Sequence, residues 1–278
     1  SDLGFFPLYF RLLERSGAFE IIAHRVVWSF AFCAILLTIG KGWHRLAALA
    51  HDRRSLWGLV LAGHLVLINW TLYVWSVNAG HTLDAAMGYF INPLVSALLG
   101  VLVLRERLSP AQWMAFGIGI VAVVVLMVGH SSTPLISLGL AMSFGLYGLV
   151  KKVLGVAVKP AVGLIVETLA TTPLALVYIG WGVAQGKSTF TGSYSLLLVS
   201  AGILTAVPLL MFAFAASRIS LTTLGILQYI SPLLQFLVGL FLFGEQMPWQ
   251  RWVGFSLVGV AVVMFSAEGL IRLVRRTR

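Results

Sequence analysis

From residue 20 onward the chain runs as one apolar stretch after another, separated by short polar or basic interruptions. Crossing a bilayer as a helix takes about 20 mainly apolar residues, and lipid offers the backbone no hydrogen-bond partner outside its own helix. The apolar stretches read as spans near 20–40, 56–78, 82–104, 109–129, 133–153, 160–182, 194–217, 221–243 and 248–269. Residues 1–13 are too short to cross and read as the second half of a first span whose beginning lies outside this sequence. The expected fold is therefore an all-α integral membrane protein of ten transmembrane helices, the first truncated here. Ten spans in 278 residues leave about 28 residues for each span with its connection, so no soluble domain fits.

Composition closes off the other classes. Hydrophobic residues make up 59% and charged residues 10%, against about 25% charged in an ordinary soluble domain. Cys33 is the only cysteine, which excludes an intramolecular disulfide framework; in its apolar run it reads as a small buried hydrophobe. A net charge of +10 would suit nucleic acid if it lay on one face. Here it lies in short clusters between spans. No nucleic-acid partner is expected.

Those clusters orient the chain, because cytoplasmic loops are enriched in Lys and Arg. With the N-terminus cytoplasmic, one side receives Lys41, Arg45, Arg53, Arg54, Arg105, Arg107, Lys151, Lys152, Lys159, Arg218, Arg272, Arg275, Arg276 and Arg278. The other receives Arg11, Arg15, Lys187 and Arg251, and Arg25 lies inside a span. Both termini are thus expected in the cytoplasm.

The chain also repeats itself. Shifted by 139 residues, INPLVSALLGVLVLRERLSPAQWMAFGIGIVAVV (91–124) aligns without a gap on ISPLLQFLVGLFLFGEQMPWQRWVGFSLVGVAVV (230–263), matching Pro93 with Pro232, Gly100 with Gly239, Glu106 with Glu245 and Trp113 with Trp252. The same register places AGHL (62–65) on AGIL (201–204). The domains are read as a first five-span repeat, 1–129, and a second, 130–278. Five is odd, so the second copy enters the membrane from the opposite side. Inverted repeats of this kind are typical of secondary transporters, which hold substrate near the midplane.

Polar residues inside spans are the site candidates. Pro93 and Pro232 occupy matching places in spans 4 and 9, where each prevents one helical hydrogen bond. Around these kinks sit Tyr89 and Asn92 in one half and Gln228, Tyr229 and Ser231 in the other. Interhelical hydrogen bonding is the plainer use of such residues. Arg25, beside His24 in span 2, and Glu167 in span 7 are ionisable groups at mirrored positions; such groups face a bundle interior or a wet cavity. They lie about 12 Å apart in depth, which favours local partners: Asp84 for Arg25, and Lys151 or Lys152 for Glu167. Span 3 carries Asn69 and Trp70, with Tyr73 and Trp75 beyond, and such rings suit an aromatic or amphipathic solute. Trp43, Trp57, Trp181 and Trp249 read as an interfacial belt. Glu106 and Glu245 precede Ser109-Pro110 and Met247-Pro248 and read as helix-start carboxylates.

No HExxH, G-x-S-x-G, GxxxxGK[ST] or GxGxxG occurs, nor a Cys/His cluster at metal-ligand spacing. No catalytic residue, metal or cofactor is expected.

FFPLYFRLL (5–13), EIIAHRVVWS (20–29), NWTLYVWSVN (69–78), GYFINPLV (88–95), LGLAMSFGLYGLVKK (138–152), IVET (165–168), AGILTAVPLL (201–210) and TLGILQYISPLLQFLVG (223–239) resemble the EamA-type drug/metabolite transporter superfamily, within it the RarD branch. The resemblance covers nearly the whole chain. It implies two inverted five-helix halves, a bacterial cell-membrane location, cytoplasmic termini, and a central cavity lined by spans 1–4 and 6–9. The reading is a multi-pass permease moving a small organic metabolite or drug, outward, by alternating access. Its expected partners are that solute and the lipid bilayer, with a homodimer and proton coupling left open. The alternative is a non-transporting membrane protein, such as a lipid flippase-like factor or a structural partner.

Overall fold

Where the sequence offers long apolar runs, the backbone closes its own hydrogen bonds. The computed structural model describes residues 15–79, 81–127, 134–230, 249, 252–254 and 256–264. Within them run α1 (Ala18–Ile39), α2 (Trp43–His51), α3 (Arg53–Asn78), α4 (Thr82–Leu102), α5 (Pro110–Met127), α6 (Pro134–Leu154), α7 (Pro160–Ala184), α8 (Tyr194–Ala216) and α9 (Leu221–Gln228). A shorter apolar helix, α10, follows at Trp252–Met264.

Among the described residues, six helices are long and apolar enough to cross a membrane: α1, α3 (over Arg53–Ser76), α5, α6 (over Leu135–Leu154), α7 and α8; Met87–Leu102 and Trp252–Met264 are shorter apolar helices. Their outer surfaces are apolar too, with Leu135, Val177, Leu196 and Ile39 among the most exposed side chains. Exposed leucine and valine on this scale requires lipid as solvent. The chain is an all-helical membrane protein.

The observed limits agree closely with the apolar runs, except at two places. The connection after α1 is not irregular: α2 is a nine-residue helix with no buried residue. The expected span 221–243 is helical over Leu221–Gln228, and its remainder, with Pro232 and Glu245, lies outside the described residues, as does the expected first span 1–13.

The chain forms two compact units. One comprises the described residues of Ser76–Gly145 and Ile219–Arg278; the other comprises those of Phe6–Trp75 and Leu146–Arg218. Each draws on residues from both sides of position 129. In the second, called here the α1 unit, α1 packs along α7 and α8. Ala23, Val26 and Ala175 form a small core there, flanked by Leu67, Trp70 and Tyr178. In the other, the α4 unit, α4 packs on α9 and α5, and Phe90, Ala122, Val123, Leu126, Tyr229 and Val258 form the core.

Glycine sets the closest approaches, as expected where helices associate through small residues. A Cβ on Gly202 would collide with the backbone of Trp28 and Ser29, and one on Gly63 with the backbone of Glu167. Ser29 Oγ donates to the Gly202 carbonyl at 2.9 Å, sealing the first crossing. In the α4 unit, a Cβ on Gly225 would lie 2.8 Å from the Pro93 carbonyl oxygen.

Candidate functional site

The polar residues inside these helices gather at three places. Two are in the α1 unit and one is in the α4 unit.

The first centres on Arg25, in the second turn of α1. Its Nε donates to Thr205 Oγ1 of α8 at 2.7 Å, and Cζ lies 4.3 Å from the ring centroid of Trp70 on α3. Thr205 Oγ1 in turn donates to the Ala201 carbonyl at 2.7 Å, so its lone pairs are directed at the guanidinium. A cation over an indole face gains most where water is excluded. Asn69, next to Trp70 on α3, is buried at 3% exposure.

The second centre is an ion pair between Lys151, in the last turn of α6, and Glu167 on α7. Both side chains are buried, and Tyr147 Oη donates to Glu167 Oε2 at 3.3 Å. Tyr147 is fixed by stacking on Phe212, with ring centroids 5.5 Å apart. The carboxylate is thus held by an ammonium and a phenol one helical turn apart on α6. Cys33 is buried in the same unit, as its apolar run implies. The expected local partner of Glu167 is present, and Lys151 rather than Lys152 supplies it. Lys151 therefore belongs inside the protein and not with the basic loops. The Asp84 side chain, expected beside Arg25, lies outside the described residues.

The third lies beside the proline of α4. Asn92 Nδ2 donates to Gln228 Oε1 at 2.8 Å, joining α4 to the end of α9. Asn92 is buried, and its Oδ1 has no hydrogen-bond partner among the described residues. Pro93 is housed within α4. Tyr229 is buried against α5, with its Oη also without a partner there, whereas Tyr89 is exposed. Of the residues expected around the two kinks, Asn92 and Gln228 meet, and Ser231 lies outside the described residues. Tyr229 is a core residue of the α4 unit.

His24 shares a helix with Arg25 but faces another way. Its ring stacks on Phe190, in the connection between α7 and α8, with centroids 4.9 Å apart and an interplanar angle of 11°.

Other carboxylates and hydroxyls tie the elements together. Glu20, one turn before His24, accepts from Thr189 N at 2.8 Å, Thr189 Oγ1 at 3.0 Å and Ser188 Oγ at 3.1 Å, tying the α7–α8 connection to α1. A carboxylate at a span start was its one visible mark. Glu106 accepts from Leu221 N at 2.7 Å and from Thr222 N and Oγ1 at 2.9 and 2.7 Å. It is a helix-start carboxylate, but the helix it serves is α9 and not the α5 that follows it in sequence. The hydroxyls of Thr168, Thr171 and Thr172 return to carbonyls of their own helix, which explains how three threonines sit in one span.

Residues 4–128 match the EamA-like transporter family. The chain is 47% identical over 278 residues to Protein RarD of Streptomyces exfoliatus, covering 99% of this chain and 87% of that one. It is 41% identical to an uncharacterized transporter of Vibrio cholerae, covering 96% and 89%, and 40% identical to Protein RarD of Escherichia coli, covering 96% and 90%. A solved crystal structure superposes with a TM-score of 0.73 at 18% identity, over 96% of this chain and 94% of that one, which establishes the fold alone. With relatives 40–47% identical along nearly the whole length, the chain belongs to the EamA-like transporter family.

Proposed function

We propose that this protein is a secondary transporter of the bacterial cell membrane that moves a small organic metabolite or drug outward by alternating access. The observation that carries the reading is the pair of ionisable centres buried within spans of one unit, Arg25 with Thr205 and Trp70, and Lys151 with Glu167. Charge is kept inside lipid where a pathway requires it. Arg25, Trp70 and Asn69 are the proposed solute contacts of the α1 unit; Asn92, Gln228, Tyr89 and Tyr229 are those of the α4 unit.

An inverted repeat underlies this reading, and reciprocal contacts support it. Gly63 meets the backbone of Glu167, and Gly202 meets that of Trp28. Shifting each position by 139 residues exchanges the two contacts. A pseudo-two-fold relation between residues 1–129 and 130–278 has this consequence, and five spans in each repeat would make that relation an inverted one.

Purified protein in proteoliposomes loaded with a defined mixture of organic acids, amines and neutral aromatics tests the proposal. The expected result is protein-dependent loss of one solute class, reduced at least tenfold by Arg25→Gln in correctly inserted protein. A rate that ignores an imposed pH gradient would remove proton coupling from the reading. Loss equal to that from empty liposomes for every class would overturn the transport reading.

A further inference from the structure

Between the spanning helices α1 and α3 the chain keeps a short helix, α2 (Trp43–His51), none of whose residues is buried. Three residues separate it from α1 and one from α3. A segment this short cannot cross, so α1 ends and α3 begins on the same membrane face, and α2, about 14 Å long, is confined to that face.

Both ends of α2 are fixed. Lys41 N donates to Thr38 O and Gly42 N to Leu37 O, and a Cβ on Gly42 would lie 3.2 Å from Leu37 Cγ, so the turn runs close against α1. Trp43 Nε1 donates to Thr38 Oγ1 at 3.1 Å, tying the first residue of α2 back to the last turn of α1. At the other end Asp52 N donates to Leu49 O, and Asp52 accepts from Ser55 N of α3.

The helix itself is two-sided. Trp43, Leu46, Ala47 and Ala50 stand at i, i+3, i+4 and i+7 and share one face. His44, Arg45, Ala48 and His51 lie around the other, and the two histidines place Nδ1 2.9 and 3.0 Å from the Lys41 and Ala47 carbonyl oxygens. Helices of this pattern lie in the plane of the interface with the apolar face among the acyl chains.

Its charge is of one sign. Residues 41–54 hold Lys41, Arg45, Arg53 and Arg54 against one acid, Asp52. All four cations are exposed, and none makes an ion pair or a side-chain hydrogen bond among the described residues. Arg218, at the end of α8, differs: its Nη1 donates to the Phe214 carbonyl and Ser217 Oγ, and its guanidinium covers the Phe214 ring. Basic clusters beside a span attract anionic headgroups, and a guanidinium matches phosphate oxygens in pairs. An acidic protein would meet these cations and leave the apolar face of α2 in water. A bilayer meets both, and lipid is already the solvent of α1 and α3.

We propose that α2 is an in-plane anchor that binds anionic phospholipid. Trp43, Leu46 and Ala50 enter the acyl-chain region, and Lys41, Arg45, Arg53 and Arg54 hold the headgroup phosphates above them. α2 does this whichever leaflet it faces and whether or not the chain moves a solute.

The test uses the full chain in nanodiscs of equal parts phosphatidylglycerol and phosphatidylcholine, with brominated acyl chains on one lipid or the other. Cys33 is buried, so a single introduced cysteine can carry a bimane fluorophore. Ala48 and Ala50 lie on opposite faces of α2 and both are exposed, so packing within the protein does not separate them. Bimane at Ala50→Cys is expected to be quenched by brominated chains and shielded from aqueous iodide, and bimane at Ala48→Cys the reverse. Quenching at Ala50→Cys should show a preference for phosphatidylglycerol of about fivefold, the effect of one basic side chain near a charged membrane surface. Adding Arg45→Gln, Arg53→Gln and Arg54→Gln should remove the preference while quenching by the two lipids together persists. Equal quenching by the two lipids with the arginines intact would overturn the proposal. Iodide access to Ala50→Cys would also overturn it, whether α2 then stands in water or is covered only by a second copy in crowded proteoliposomes. So would a preference that survives loss of the three arginines, which would put the lipid site elsewhere on the chain. The first two readings need no charge variant, so a misfolded mutant cannot decide the matter.

Discussion

Glu167 and Lys151 show how a single pair can be both structural and chemically poised. Each is enclosed by protein, so removing one charge strands the other. Glu167→Gln is expected to lower stability by about 3–5 kcal/mol, read from thermal unfolding in detergent. The double variant Lys151→Met with Glu167→Gln should recover most of that loss, because no buried charge is left alone. Full additivity of the two single changes would show that the residues do not interact. Lys41 poses a smaller question of backbone conformation. It ends α1 with φ at 47°, donating to Thr38 O while Gly42 N reaches Leu37 O, the two bonds of a Schellman motif. The same motif ends α7 with Gly186 in the left-handed position. Lys41→Gly removes the Cβ penalty and should stabilise the protein by about 1 kcal/mol.

Helix ends are secured by carboxylates and hydroxyls drawn from near and far. Ser220 Oγ accepts from Thr223 N at 3.0 Å to begin α9, and Glu106 takes the two amides before it. Asp52 begins α3 locally, accepting from Ser55 N at 3.2 Å. Hydrogen bonding from the Ser55 side chain, and then from its amide, holds the Asp52 carboxyl below its ordinary value. A depressed folded-state value stabilises above the unfolded-state value, and that contribution is lost as the pH falls through the folded one. Protection of the Ser55 amide from hydrogen exchange, corrected for intrinsic rates, is therefore expected to be full at neutral pH. It should decline as the pH drops below about 4. Asp52→Asn, which caps without titrating, should abolish that decline. The four tryptophans read from the sequence as an interfacial belt, Trp43, Trp57, Trp181 and Trp249, are all exposed.

For the molecule as a whole, the basic residues make the sharpest prediction. Cys33 is buried, so single cysteines can be placed on an almost silent background. In intact cells, a membrane-impermeant thiol reagent should label Lys187→Cys and spare Arg45→Cys, with the pattern reversed in inside-out vesicles. Labelling of both from one side would remove the proposed topology. Compactness adds something the repeat does not announce. Each unit joins a stretch from before residue 129 to one from after it, so neither half of the sequence makes a compact unit from its own residues alone.

What the chain determined by itself was the set of helices. A lipid solvent leaves the backbone one way to satisfy itself, and the length of each apolar run then sets where a helix begins and ends. That is why α1, α3, α5, α6, α7 and α8 fall within a few residues of the limits read from hydropathy, and why Lys151 or Lys152 could be named beside Glu167 from helix depth. The amphipathic α2 was not legible, since nine residues with no buried face leave no run to read. Partners across helices were decided only by tertiary structure. Thr205 meets Arg25, Glu106 serves α9 across more than a hundred residues, and His24 turns toward Phe190 while Arg25, its neighbour, turns toward Trp70. Hydropathy counts how apolar a position is but does not say which neighbour it meets. Helix rotation and crossing, set by glycines that admit a second backbone, decide that.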